Sequence, residues 1–159
     1  MSRIQVEFVD AFVSGVKETF SAMVEVSVRR KDAWIKEGYT MYGEVSGVIG
    51  LSGPTTGTCA VSLPAEFARY AIGKMLCLPP DTAPANEEVR DGVGELINMI
   101  AGRAKTILSG SKYKFDINLP TIISGARHEV YQRKGTECLV ILLETEAGAC
   151  FTLEICVPV

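Results

Sequence analysis

The sequence predicts an α+β fold in which helices pack on a mostly antiparallel β-sheet. Two patterns support it: apolar residues recur every three to four positions in some segments and alternate in others. The segments follow the order helix, hairpin, two helices and three strands. The chain has 159 residues, 47% of them hydrophobic, which suits one core but not two ordinary domains. We therefore expect one domain over residues 1–159.

The opening segment, residues 4–24, is predicted to be an amphipathic helix. Its large apolar residues stand four positions apart, as the face of a helix requires. They are Ile4, Phe8, Phe12, Val16, Phe20 and Val24. We expect this helix to lie on the sheet.

A β-hairpin is predicted next. Apolar and small residues alternate over 41–51, residues 52–57 carry turn chemistry, and residues 58–63 again resemble a strand. The first strand is rich in glycine, yet it lacks both the Gly-Lys-Ser/Thr ending of a phosphate loop and the context of a dinucleotide fingerprint. We interpret these glycines as positions where a helix packs closely or the sheet coils.

Two further helices follow the hairpin. Pro64 is a good first residue for a helix that runs to about Met75. Asn86 is predicted to be the N-cap of a longer helix that ends near Ser109 and Gly110. Beyond it, three stretches have strand composition, the last two joined by a turn at 146–149. They are residues 115–123, 138–145 and 150–157.

Charge and hydropathy exclude several classes of function. The formal net charge is −3, and the short run Arg29-Arg30-Lys31, which we interpret as a solvated turn, is too small a basic patch for a nucleic-acid surface. No stretch approaches the length of apolar residues that crosses a bilayer, and Glu7 and Asp10 interrupt any signal peptide. We expect a cytoplasmic protein without nucleic-acid or membrane partners.

The cysteines and the single histidine do not suggest a catalytic or metal centre. The five cysteines form no Cys-x-x-Cys pair, and we expect reduced, buried thiols. His128 has no second histidine with which to bind zinc, so we interpret it as structural. No cofactor or metal is expected on this chain.

The most informative segment is residues 91–98 of the long helix. Asp91, Glu95, Asn98 and Gly102 fall within roughly 60° of one another on a helical wheel. The apolar residues of the same helix fall on the opposite side. They are Val89, Val93, Leu96, Ile97, Ile100, Ala104, Ile107 and Leu108.

This polar stripe has a plain interpretation and a functional one. Most such stripes are simply the solvent face of an amphipathic helix. Glu95 and Asn98 do not form an acid and base pair, because an amide does not titrate. Asn98 can nevertheless hold a water molecule in line with an electrophile that is activated elsewhere, and Glu95 can pair with a lysine of a partner.

The stripe also carries a resemblance. Asp91-x-x-x-Glu95-x-x-Asn98, followed by Pro120, resembles the signature of the chemotaxis phosphatases of the CheC, CheX and FliY group. Four blocks in the same order are similar to CheX: residues 43–53, 71–76, 98–105 and 119–125. The resemblance covers nearly the whole chain and implies the CheC-like/CheX fold.

By this resemblance the chain is a phosphatase that hydrolyses the phospho-aspartate of a CheY-type response regulator. Carried over by motif, Asn98 positions the attacking water and Glu95 pairs with the regulator's lysine, while Mg²⁺ belongs to the regulator. Asp91 and Gly102 are assigned to partner binding. Asp91 helps to place the helix or meets the rim of the regulator, and Gly102 leaves room for close approach. A helix-packing glycine is an equal alternative for Gly102.

The resemblance also implies a homodimer. The signature occurs once in the chain, as in CheX, whose members pair, and residues 139–143 and 151–157 are apolar enough to need cover. Two alternatives to the phosphatase stay open. One is a non-catalytic module of the same fold that binds a receiver domain or a flagellar-switch protein, and the other is a small-molecule or nucleotide sensor.

Overall fold

Three helices and a seven-stranded antiparallel sheet form the secondary structure of residues 3–159, the part of the chain that the computed structural model describes. The helices are α1 (Val6–Met23), α2 (Ala65–Met75) and α3 (Asn86–Leu108). The strands are β1 (Val28–Ile35), β2 (Val45–Ser52), β3 (Gly57–Leu63), β4 (Asp116–Ile117), β5 (Thr121–Ser124), β6 (Thr136–Thr145) and β7 (Cys150–Pro158).

The sheet has the strand order β1-β6-β7-β3-β2-β4, and β5 pairs with β2 beside β4. Every pair is antiparallel. One edge is therefore β1, and the other is shared by β4 and β5. This architecture confirms the predicted fold class, including the opening helix and both hairpins.

The main core lies between the sheet and the helices. Alternate residues of β2, β3, β6 and β7 face it, among them the fully buried Ile49, Val61, Ile141 and Leu153. A glycine in β2 lets α3 approach: a Cβ at Gly47 would lie 3.1 Å from Ile97 and 3.2 Å from Val93. The close-packing interpretation of the glycines is confirmed at this position.

Two irregular segments, residues 36–44 and 125–132, lie over the opposite face of the sheet. They bond to each other, for example from Met41 N to His128 O at 3.0 Å. His128 contacts Gly125 O through Nδ1 at 2.8 Å and Ser46 Oγ through Nε2 at 2.7 Å. Since a carbonyl only accepts, Nδ1 donates, and His128 has the structural role predicted for it.

The run Arg29-Arg30-Lys31 lies in β1, so its interpretation as a solvated turn was wrong. β1 is an edge strand that pairs only with β6, and most of its residues are exposed. A register shift between Arg30 and Asp32 breaks the two-residue period. With neither a buried face nor a regular period, the strand left no alternation for the sequence to show.

Two other boundaries differ from prediction. Asn86 is the first residue of α3, and Ala85 is the N-cap. The Glu88 side chain accepts a hydrogen bond from Ala85 N at 2.9 Å, which caps the helix without a side chain at the N-cap itself. The strand predicted over 115–123 is broken into β4 and β5 by residues 118–120.

The prediction of five reduced, buried thiols was also wrong. Cys138 and Cys156 stand opposite each other on β6 and β7, with Cα atoms 4.0 Å apart, and form a disulfide. Cys77 is exposed and Cys150 partly so. Cys59 does match the prediction, and burial raises the pKa of its thiol. The pairing depends on strand register, which the cysteine spacing did not reveal.

Candidate functional site

The candidate site is the exposed stripe of α3. The opposite side of this helix is buried against the sheet and α1 over five turns, from Val89 to Leu108. Ile107, predicted for the apolar side, is instead 50% exposed, whereas Leu108 beside it in the same turn is buried. The buried side makes α3 a rigid support for the side chains on its outer surface.

The four predicted residues lie on that outer surface. Asp91 and Glu95 are exposed, and Asn98 and Gly102 are half-buried. Glu95 and Asn98 are three residues apart, about 4.5 Å along the helix axis. Within residues 3–159, no side-chain hydrogen bond or ion pair engages either of them. Both are therefore free to meet a group from outside the chain.

The two side chains offer complementary chemistry to such a group. The Asn98 carboxamide presents one acceptor oxygen and one donor nitrogen, which suits the orientation of a water molecule. The Glu95 carboxylate presents only acceptors and a negative charge, which suits a cation. Glu95 is exposed and Asn98 is only half-buried, so full desolvation of the pair requires a second macromolecule.

The edge strands β4 and β5 border the stripe along one side. Near the start of the helix, a Cβ at Gly94 would lie 3.2 Å from Ile122 and 3.8 Å from Pro120. Near its end, Lys105 Nζ lies 3.1 Å from Asp116 Oδ1. Pro120, the distant part of the predicted signature, is thus brought against α3 one residue before Glu95.

The other side of the stripe borders a shallow groove between α3 and α1. The groove has a volume of about 430 Å³ and includes Met99, Gly102 and Ile107 in its lining. A Cβ at Gly102 would meet no atom within 4 Å among the described residues. Helix packing therefore does not require a glycine here, and that alternative for Gly102 is not supported.

Sequence reasoning passed over Leu119. It was part of a block of resemblance and was not assigned a role, because a leucine inside a strand-like run is ordinarily a core residue. In the structure its side chain is 91% exposed, beside Pro120 on the loop that borders the stripe. A leucine directly before a proline in an interrupted strand was the signal that it lies outside the core.

Two general features of the described residues complete the site. Within residues 3–159 no helix is long and apolar enough to cross a membrane. In the same range no three residues among His, Cys, Asp and Glu gather as a metal site would require.

The fold and the site together define a class: a domain of helices on an antiparallel sheet that presents a carboxylate and a carboxamide on one exposed helix. Solved structures with this fold are similar to the chain over nearly its whole length. A CheX chemotaxis protein from Desulfovibrio desulfuricans has a TM-score of 0.85 and 26% identity, covering 96% of this chain and 99% of that one. CheX from Vibrio vulnificus has a TM-score of 0.82 and 30% identity, covering 95% and 99%.

A third structure adds a partner. A complex of CheX with CheY, beryllofluoride and Mg²⁺ from Borrelia burgdorferi has a TM-score of 0.78, covering 98% of this chain and 100% of that one. At 22% identity this likeness shows the fold alone. No match was found among curated protein sequences.

The family follows from the sequence as well as from the fold. The family model for the chemotaxis phosphatase CheX matches residues 45–144, which are more than half of the chain and include Asp91, Glu95 and Asn98. The chain belongs to the CheX family of chemotaxis phosphatases.

Proposed function

We propose that this chain hydrolyses the phospho-aspartate of a CheY-type response regulator. The observation that carries the proposal is the pair Glu95 and Asn98, which project from the rigid helix α3 without a partner among the described residues. Membership of the CheX family supports the reaction, and the CheX–CheY complex from Borrelia burgdorferi supports the kind of partner.

In the proposed reaction Asn98 orients the attacking water. An amide cannot remove a proton, so its contribution is to hold the water oxygen in line with the phosphorus and the leaving aspartate oxygen. Phosphoryl transfer is accelerated mainly by positioning and by neutralising charge, as with the water-orienting glutamine of GTPases. A residue that neither titrates nor forms a covalent bond is suited to that task.

Glu95 fixes the orientation of the complex. In the proposal its carboxylate pairs with the conserved lysine of the regulator, one helical turn from the water that Asn98 holds. Asp91 lies one turn further toward the start of α3 and meets the rim of the regulator, and Gly102 leaves space for the regulator's surface. These four residues all lie on one side of a single helix.

The metal belongs to the regulator in this proposal. Mg²⁺ bound beside the phospho-aspartate neutralises the phosphoryl oxygens, and this chain binds no cofactor of its own. The complex from Borrelia burgdorferi contains Mg²⁺ together with CheY. The proposal carries the expectation that the chain acts in the cytoplasm, where response regulators are phosphorylated.

A dephosphorylation assay with matched variants tests the proposal. A CheY-type receiver from the same genome is phosphorylated with a small phosphodonor in the presence of Mg²⁺, and loss of phosphate is followed with catalytic amounts of this protein. Asn98→Ala should lower the rate by about 10² or more, the usual cost of one preorganised hydrogen-bonding group. Glu95→Ala should weaken binding, and Glu146→Ala, an exposed carboxylate in the β6–β7 turn, should have no effect.

The same assay separates catalysis from binding alone. If the unmodified protein binds the phosphorylated receiver but does not speed its decay, the chain is a non-catalytic binding module. If the natural protein and the Asn98→Ala variant accelerate decay equally, another residue performs the chemistry.

We also propose a homodimer, with a change in the strands that form it. Strands β6 and β7 were expected to need cover from a second chain, but both lie inside the sheet. The free edge away from the site is β1, where Trp34 is 41% and Ile35 38% exposed.

Light scattering tests the dimer. It should give twice the 17.2 kDa mass of one chain, and Trp34→Glu should convert the dimer to a monomer. A natural protein that stays monomeric at micromolar concentration contradicts the dimer.

A further inference from the structure

The edge segment that contains Leu119 has an irregular register. Ser52 and Leu51 pair with Asp116 and Ile117, so the next residue, Asn118, meets Gly50 and donates from its N–H to Gly50 O at 3.0 Å. Pairing resumes between Thr121 and Val48. Residues 118–120 therefore oppose only two residues of β2, which is a bulge of one extra residue. Bulges at sheet edges redirect side chains away from the regular pattern.

This bulge is held alongside the catalytic stripe. At one end Asp116 meets Lys105 of α3 at 3.1 Å. At the other end Pro120 packs against Gly94. The segment thus runs antiparallel to α3 between these two contacts, and Asn98 lies between the same two contacts on the helix. Leu119 is consequently beside the middle of the stripe.

Leu119 has the largest exposed fraction of the large apolar side chains in residues 3–159, at 91%. An isolated exposed leucine is ordinary on a protein surface. Here, however, the backbone on both sides is fixed by the Asn118 hydrogen bond and by the Pro120 ring, so the leucine is presented in one place. A fixed backbone has little conformational entropy left to lose on binding, so only the leucine side chain must be ordered, which suits an interface anchor.

We infer that Leu119 is an apolar anchor for the receiver domain, occupying its surface beside the phospho-aspartate cleft while Asn98 enters the cleft. This inference rests on the proposed function. This contact buries Leu119 next to the proposed pair of Glu95 with the receiver's lysine. The buried leucine then keeps water away from that pair. Because Leu119 touches neither the phosphoryl group nor the water, it stabilises the bound substrate and the transition state equally.

Uniform stabilisation predicts a specific kinetic result. Leu119→Ala should raise KM for the phosphorylated receiver by about 10-fold, a typical loss for an interface anchor, while kcat stays within about twofold. Leu119→Ser should behave in the same way or more strongly. The matched control is Leu76→Ala, another exposed leucine, at the end of α2 and away from the bulge, which should leave KM unchanged. Thermal unfolding should show that Leu119→Ala folds as the natural protein does, because its side chain is exposed.

The outcome for Leu119 can be read independently of the outcome for Asn98. If Asn98→Ala abolishes turnover but Leu119→Ala keeps the natural KM, the anchor is wrong and the phosphatase proposal stands. If the natural protein shows no phosphatase activity, binding to a beryllofluoride-loaded receiver decides the anchor. Weaker binding of Leu119→Ala supports it, and equal binding overturns it. A fall in kcat at unchanged KM would also overturn it, because the role would then lie in the reaction.

Discussion

The ring of Pro120 packs against α3 at Gly94, 3.8 Å from the position that a Cβ on that glycine would occupy. This contact links the end of the bulge to the residue directly before Glu95. The same Cβ would lie 3.2 Å from Ile122 of β5. Gly94 therefore sets how closely the edge of the sheet approaches the polar stripe of α3.

A larger residue at Gly94 should move the bulge away from the stripe. Gly94→Val adds methyl groups where Ile122 and Pro120 already pack, and overpacking of this kind costs about 1–3 kcal/mol in the free energy of unfolding. We expect dephosphorylation to slow as well, since Leu119 and Asn98 would no longer be aligned. Urea unfolding and the receiver assay measure the two effects. Gly94→Ala, which demands a shift of only a few tenths of an ångström, is the control, and natural activity in Gly94→Val would contradict this role of the glycine.

Substitutions at Gly102 should affect the stability of the fold and the binding of the receiver in different ways. Because a Cβ there meets no described atom, Gly102→Ala should stabilise α3 by up to about 1 kcal/mol through its higher helix propensity. Gly102→Trp should fold normally but weaken binding of the receiver, because its side chain fills the space that the partner needs. Calorimetry of binding and thermal unfolding test the pair. Equal affinity of the tryptophan variant would show that the partner does not approach Gly102.

Removal of one partner of the ion pair between Lys36 and Glu154 should lower the free energy of unfolding substantially. Lys36 Nζ lies 2.9 Å from Glu154 Oε1, and the two side chains are only 10% and 5% exposed. Lys36→Met leaves a buried carboxylate without its cation and should destabilise the fold by about 3–5 kcal/mol at neutral pH. The double variant Lys36→Met/Glu154→Leu should recover most of that loss, as urea unfolding can show. If Lys36→Met alone lowers the free energy of unfolding by less than about 1 kcal/mol, the prediction for this ion pair is wrong.

The pH dependence of Lys36→Met has a defined sign. Burial raises the pKa of Glu154, and Lys36 opposes that rise in the natural protein. Without Lys36, the Glu154 carboxyl keeps its proton to a higher pH in the folded protein than in the unfolded chain. The variant should therefore lose stability as pH rises from mildly acidic to neutral, and a flat difference from the natural protein over that range would contradict the assignment.

Glu144 should contribute to acid unfolding with the opposite sign. Hydrogen bonds from Lys31 and Arg29 lower the pKa of its carboxyl from 4.5 to about 2. Between these values the unfolded chain binds more protons than the folded one, so the contribution is present above pH 4.5 and is lost as pH falls toward 2. Glu144→Gln should flatten this part of the stability curve. If the free energy of unfolding, measured with urea, falls equally with pH in both proteins, the hydrogen bonds of Glu144 with Lys31 and Arg29 do not persist in solution.

The helices and the buried strands were predictable from the sequence because the apolar residues of each recur with a clear period. The four-residue spacing from Phe8 to Phe20 predicted α1, and the polar stripe of α3 predicted that Glu95 and Asn98 lie on its outer side. These features depend on residues close together in the chain, which is what periodicity reports.

Features that depend on long-range register were not predictable in this way. The disulfide of Cys138 with Cys156 requires the pairing of β6 with β7, and the pair of Lys36 with Glu154 joins residues 118 positions apart. The edge strand β1 has no buried face to give it a period. Leu119 looked like a core residue because the bulge that exposes it exists only once β4 and β5 pair with β2.

Single-turnover decay tests most directly whether the Asn98 carboxamide orients the attacking water. The phosphorylated receiver is mixed with an excess of this protein that saturates binding, so that only the chemical step is measured. We predict that Asn98→Ala binds a beryllofluoride-loaded receiver about as tightly as the natural protein does, yet dephosphorylates the phosphorylated receiver about 10² more slowly, near the receiver's own rate. Decay at the natural rate by an Asn98→Ala variant that binds normally would contradict the claim.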